Sequence, residues 1–236
     1  MKKGPVLVVA ATLALLGLAA GAGMAADIVT VPTANQLKAG EVDVAAYYIS
    51  VDEDSLIPAL HGAGIEFVRF QTLYVGVTDK VELDAHRADV DTAVPETIWN
   101  ATVLLQQEDA RRPAMVLGGR DLSRVYGHAS YFLSAAKTLN PPTEGPPTEP
   151  IIRLHLSLGT ADHQTLFMEE RHEGIFGGIQ CLLRPSDPAV GLIGLYDGQD
   201  VITGITVVPE PGWPTLKAGT YGGHWWVGVS HTFNAK

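Results

Sequence analysis

The chain has 236 residues, 46% of them apolar, and carries 26 Asp+Glu against 16 Lys+Arg, a formal charge of −10. Such an acidic balance argues against nucleic acid as a partner, and it gives no basic stripe for anionic lipid headgroups. The single cysteine, Cys181, excludes an internal disulfide, so stability has to come from hydrogen-bonded sheet and packing.

Residues 1–26 read as a secretory signal expected to be removed. Lys2 and Lys3 precede an uncharged apolar core from Val6 to Leu18, and small residues follow, with cleavage at Gly23-Met24-Ala25 or Met24-Ala25-Ala26. A membrane anchor is the alternative, but the core is short and the small-residue tail favours cleavage. No cysteine follows the core, so the signal is not of the lipoprotein kind. Beyond it no apolar run reaches the roughly 20 residues of a membrane helix. Residues 27–236 then form a single domain.

That domain reads as one strand after another. Val81, Leu83 and Ala85 alternate with Glu82, Asp84 and His86. Trp99, Ala101, Val103 and Leu105 alternate with Asn100, Thr102 and Gln106, and Leu154, Leu156 and Leu158 with Arg153, His155 and Ser157. Val201, Ile205 and Val207 alternate with Asp200 and Thr206. In the last strand Trp225, Val227, Val229 and Phe233 alternate with Gly228, Ser230 and Thr232. A period of two gives each strand one apolar and one polar face.

Turn chemistry separates the runs at Gly76–Lys80, at Arg184–Pro188 and at Asp197-Gly198-Gln199-Asp200, where Asp-Gly signals a tight hairpin. Longer connections fall at Asp52–Gly64, Asn140–Pro150 and Pro209–Leu216. The proline-dense Asn140–Pro150 reads as a stiff exposed loop, and Leu122–Leu139 can also be drawn as a helix. The expected fold is all-β, an antiparallel up-and-down transmembrane β-barrel of about 10–12 strands, with short turns and long loops at opposite ends. A soluble β-sandwich, which also alternates, is the alternative. A barrel of this size has little bore and is expected to be filled by its own side chains.

Several segments resemble the YjbH-like outer-membrane barrel family, known from exopolysaccharide gene clusters. They are Val31-Pro32-Thr33-Ala34 followed by Lys38-Ala39-Gly40-Glu41; Thr97–Leu105 with Arg112-Pro113-Ala114 and Gly118-Gly119-Arg120-Asp121-Leu122; Phe176-Gly177-Gly178-Ile179-Gln180; and Tyr196-Asp197-Gly198-Gln199-Asp200-Val201 with Gly204. The last, similar to the family's Glu-Tyr-Asp-Gly hairpin, is the most specific. The chain departs from the pattern at Leu195, where the family has glutamate, and at Ile202, where asparagine is usual; both positions should face the lumen. His231 and the trailing Asn234-Ala235-Lys236 also depart from the usual aromatic end. The resemblance implies a non-enzymatic outer-membrane protein auxiliary to exopolysaccharide production or export, or to envelope organisation. Its partners would be outer-membrane lipid, the barrel-insertion machinery acting on Trp225, Val227, Val229 and Phe233, and polysaccharide or its export components.

No nucleophile elbow, phosphate loop, dinucleotide loop or zinc-protease motif occurs, so no catalytic residue, metal or cofactor is expected. Cys181, among apolar neighbours, reads as packed or lipid-facing. Asp162-His163 with Glu169-Glu170-Arg171-His172-Glu173 is dense enough to hold a metal only if a loop gathers it, and its spacing matches no known site. Ser130, Ser134, Ser157, His128 and His155 leave open a less favoured lipid-modifying enzyme. The candidate site is a lumenal and turn cluster: Glu108, Arg120, Asp121, Lys137, Asp197, Gly198 and Asp200. Arg120 and Asp121 can pair with Asp197 and Asp200, or with Glu108 and Lys137. Trp99, Trp213, Trp225, Trp226, Tyr47, Tyr48, Tyr131 and Tyr221 are candidates for interfacial aromatic girdles.

Overall fold

A computed structural model describes residues 27–28, 31–52, 61–89, 96–125, 127–141, 150–160, 162–163, 170–185 and 187–235. The expected signal, 1–26, lies outside these residues.

Two short strands come first, β1 (Asp27–Ile28) and β2 (Val31–Pro32), paired with each other. Then follow β3 (Glu41–Ser50), β4 (Phe67–Thr78), β5 (Val81–Asp89), β6 (Glu96–Gln106), β7 (Ala114–Arg120), β8 (Ser130–Thr138) and β9 (Ile151–Gly159). The next connection carries a small ladder of β10 (Asp162–His163) and β11 (Glu170–Arg171). The chain ends with β12 (Gly174–Arg184), β13 (Ala189–Tyr196), β14 (Val201–Val208), β15 (Thr215–Tyr221) and β16 (His224–Asn234). The twelve strands β3–β9 and β12–β16 form one closed antiparallel barrel in up-and-down order. β16 pairs with β3 from Trp226↔Ile49 to Asn234↔Glu41 and closes it. Closure leaves no strand edge unpaired. The segment 122–139 contains β8 and, among its described residues, no helix.

The alternation is turned inside out relative to a soluble sheet protein. On β9, Leu154, Leu156 and Leu158 are 41%, 63% and 59% exposed, while His155 and Ser157 between them are buried. On β5, Glu82, Asp84 and His86 are buried and Leu83 is exposed. The same holds on β16, where Trp225 and Val227 face out and Trp226, Ser230 and Thr232 face in. A sandwich would have put these leucines between two sheets, whereas here they cover the outside of a single closed one.

The interior is packed. Tyr47, Phe132, Phe176, Leu195, Ile202 and Trp226 form part of one buried cluster. Glycines make room for the largest of them: a Cβ on Gly118 would lie 2.1 Å from the Phe132 ring, and one on Gly228 would lie 2.3 Å from the Tyr47 ring. The residues standing where the resembled family carries glutamate and asparagine, Leu195 and Ile202, oppose each other on β13 and β14 and are both buried inside. Three girdle candidates, Tyr47, Trp226 and Tyr221, also belong to this interior, because their strand positions share the inward face. Trp99, Trp225 and Tyr131 are outward, as are Phe67 and Tyr196.

The two rims differ. At the lower rim β3 starts, β16 ends, and the facing strand ends are those of β4/β5, β6/β7, β8/β9, β12/β13 and β14/β15; at the upper rim they are those of β3/β4, β5/β6, β7/β8, β9/β12, β13/β14 and β15/β16. The strand ends joined by the shortest links, Thr78 to Val81 and Tyr221 to His224, lie at opposite rims, so short links are not confined to one end.

Candidate functional site

The first element of the site is backbone inside the barrel. From the lower rim the chain N-terminal to β3 turns into the lumen, where Val31, Thr33, Ala34, Asn35 and Leu37 are buried. The wall holds it by specific bonds. The Leu37 N–H donates to Glu82 Oε2 at 2.8 Å, Arg153 Nε donates to Asn35 Oδ1 at 2.9 Å, and Ser157 Oγ donates to the Pro32 carbonyl at 3.4 Å. Entry depends on Gly76: a Cβ there would sit 2.0 Å from the Lys38 carbonyl oxygen. The bonds to Leu37 and Pro32 satisfy backbone groups that water would otherwise have to reach.

At the lower rim Glu108 gathers three groups. It accepts the Thr138 N–H at 2.6 Å, pairs with Arg153, and lies 3.8 Å from Lys137 Nζ. Lys137 Nζ also donates to the Asp109 carbonyl. Burial works against the Glu108 carboxylate, but the Thr138 N–H and the Arg153 guanidinium outweigh it and hold its pKa below the usual range. Nearby, the exposed Asp109 is bonded by Arg112 and by two backbone N–H groups, which bring it down to about 2. Arg153 ties this knot to the lumenal segment through Asn35.

At the upper rim the 197–200 hairpin is built as its Asp-Gly suggests. Asp197 Oδ1 accepts the N–H groups of Gln199 and Asp200 at 2.9 and 2.7 Å, and Gly198 takes φ 104°, a conformation open to glycine at little cost. Asp197, fully buried, also accepts the Tyr221 hydroxyl at 2.6 Å and Arg171 Nη1 at 2.7 Å. The same Nη1 reaches Asp200 at 2.9 Å, and the guanidinium lies 4.9 Å from the centre of the Tyr221 ring. Burial raises the Asp197 pKa, yet the Tyr221 hydroxyl, the backbone N–H groups and Arg171 together carry it below the ordinary value. Burial likewise opposes the Arg171 charge, but Tyr221, Asp197 and Asp200 raise its pKa on balance. A buried pair of this kind is an anchor: the carboxylates are acceptors already in use, not free bases.

The seven candidate residues thus fall into groups at opposite rims. Asp197, Gly198 and Asp200 meet Arg171 at the top, and Glu108 and Lys137 meet Arg153 at the bottom. Arg120 Nη1 lies 3.5 Å from His172 Nδ1, next to the Arg171 anchor. Asp121 serves its own turn: its Oδ1 accepts the Ser123 hydroxyl and the Val125 N–H, and its backbone N–H donates to Asn100 Oδ1 at 2.8 Å. Arg171 and Arg153 are the partners that the sequence reading left out. Arg153 was legible, since it shares the inward face of β9 with His155 and Ser157. Arg171 was not, because it reaches Asp197 across 26 residues of chain.

Ser134 and Ser157 are bonded to each other at 2.6 Å, and His155 Nε2 to Gln180 Oε1 at 2.8 Å. Of the acidic and histidine-rich segment, Asp162 pairs with Arg171 and His163 with Glu170 in the small ladder; Glu169 lies outside the described residues. Among the described residues no group of three or more His, Cys, Asp or Glu side chains is placed to hold a metal. Cys181 lies on β12 opposite Ile152 and Leu192.

Fold and site together define a closed, internally filled β-barrel with an apolar outer face and a charge anchor at each rim. No protein-family model matches the chain, and no curated protein matches it.

Proposed function

We propose that this chain is a non-enzymatic β-barrel of a bacterial outer membrane, sealed by its own N-terminal segment, that assists exopolysaccharide production or export or the organisation of the envelope. The observation that carries the membrane part is the outward leucine, valine and isoleucine band. Exposed apolar patches on monomeric soluble proteins rarely exceed a few hundred Å². Here the exposed apolar residues lie on the outward face of strands all around the barrel, from Leu73 and Leu83 through Leu156 and Ile179 to Ile205 and Val227. At the upper rim Phe67, Trp99, Tyr131, Tyr196 and Trp225 point outward together, as an interfacial girdle would. The outward positions of Trp225, Val227, Val229 and Phe233 suit recognition of β16 by the insertion machinery. The exopolysaccharide role is taken from the family resemblance, whose most specific segment in the sequence is Tyr196–Val201. The bond between Ser134 and Ser157 favours a structural over a hydrolytic role for these two serines.

The test is fractionation of the producing cell followed by gel mobility with and without boiling. An outer-membrane band that shifts on heating is expected. A soluble band without a shift would remove the membrane reading. Loss of secreted polysaccharide on deleting the gene, restored by the wild-type chain, is the result expected for the exopolysaccharide role.

A further inference from the structure

Among the described residues, charged side chains on the outer face are confined to strand ends. They are Lys137 at the lower end of β8, turned to the 107–113 connection, and Arg69, Arg87 and Asp89 at the upper ends of β4 and β5. The last three form a patch with Gln71. Arg87 opposes Gln71, and Arg69 opposes Asp89, in adjacent register positions. Arg69 Nη2 lies 3.1 Å from Asp89 Oδ2. Arg87 is exposed and has no hydrogen bond or ion pair among the described residues. The patch sits at the level of the upper aromatic residues: Phe67 ends the same face of β4, and Trp99 lies on the adjoining β6, where Thr97 opposes Arg87. Overall acidity concealed this site, because β4 and β5 bring the two arginines together from 18 residues apart in a chain of charge −10.

We propose that Arg87, with Gln71 and Arg69, binds the phosphate of a net-anionic membrane lipid headgroup at the upper rim. The inference rests on the membrane reading above. An arginine on the outer face is costly at the bilayer centre but not at the interface, where its long side chain reaches the headgroups. A guanidinium offers phosphate a planar pair of donors, and Gln71 adds an amide beside it. Asp89 engages Arg69, so Arg87 is the cation left for the lipid.

The experiment is native mass spectrometry of the full-length barrel extracted in detergent and exposed to an equimolar mixture of phosphatidylglycerol and phosphatidylcholine. One arginine at an anionic interface corresponds to a preference of about fivefold, and that preference for phosphatidylglycerol is the wild-type expectation. Arg87→Gln should bring the ratio close to one. Asp89→Asn, which removes the carboxylate beside the site, should raise it above wild type, so the two variants move in opposite directions and a general loss of folding cannot imitate both. An unchanged ratio in Arg87→Gln, or no preference in the wild type, would overturn the site. Displacement of the lipid by millimolar inorganic phosphate would make it a soluble-anion site and likewise overturn it. Each sample is checked for the heat-dependent mobility shift in vesicles. Failure of the wild type to insert sinks the membrane reading itself, whereas insertion without lipid preference sinks only the headgroup site.

Discussion

Replacing Leu156 by arginine separates a membrane barrel from a water-soluble one more sharply than any change inside it. Leu156 lies near the middle of β9, is 63% exposed, and has Ala135 and Gly177 as its cross-strand neighbours. It has little to lose in packing. In water, an exposed substitution of this kind changes stability by no more than about 0.5 kcal/mol. At mid-depth in hydrocarbon, arginine on the outer face costs about 2–4 kcal/mol. At about 1.4 kcal/mol per factor of ten, the ratio of folded to unfolded protein falls roughly thirtyfold to nearly a thousandfold. Leu139→Arg is the matched control: Leu139 is 57% exposed but stands beyond β8 at the lower rim, where the expected cost is about 0–1 kcal/mol. The assay is equilibrium urea unfolding in lipid vesicles, followed by heat-dependent mobility and tryptophan fluorescence. Equal stabilities for Leu156→Arg and wild type, or equal losses at 156 and 139, would refute the reasoning.

Other outcomes follow from the interior and the rims. Arg171→Ala strands the buried Asp197 charge and should cost about 3 kcal/mol in the same unfolding assay, with part of the loss recovered when Asp197→Asn is added. Gly118→Ala pushes a methyl into the Phe132 ring and should cost about 1–3 kcal/mol, far less in a Phe132→Leu background that leaves the ring position open. The Asp197 pKa is lower folded than unfolded, so its stabilising contribution is complete above its unfolded value of 3.8 and disappears as pH falls below it. Urea titrations of wild type and Asp197→Asn should therefore converge on acidification; parallel curves would exclude Asp197 as the source. Gly76→Val fills the seat of the Lys38 carbonyl and should loosen the lumenal segment, giving single-channel conductance in planar bilayers where none is expected of the wild type.

Much of the barrel was legible because a barrel strand and its sequence share one period. The alternation at 81–86, 99–106, 154–158 and 225–233 locates β5, β6, β9 and β16 and assigns each residue a face. The Asp-Gly pair places the 197–200 hairpin and its positive-φ Gly198, since turn chemistry is local. Periodicity does not say which face looks inward. A leucine face is equally at home in lipid and in a sandwich core, so Tyr47, Tyr221 and Trp226 read as girdle candidates although they fill the lumen.

Composition and pattern by themselves therefore determined an all-β chain with two-faced strands, no internal disulfide and an acidic balance. Tertiary structure alone decided three things: that the sheet closes at β16 and β3, that Arg171 and Arg153 are the cations at the two rims, and that residues 31–38 enter the lumen. Closure depends on strand twist and shear accumulated over twelve strands, and the partners meet across 26 to 118 residues of chain. No local window of sequence contains either quantity.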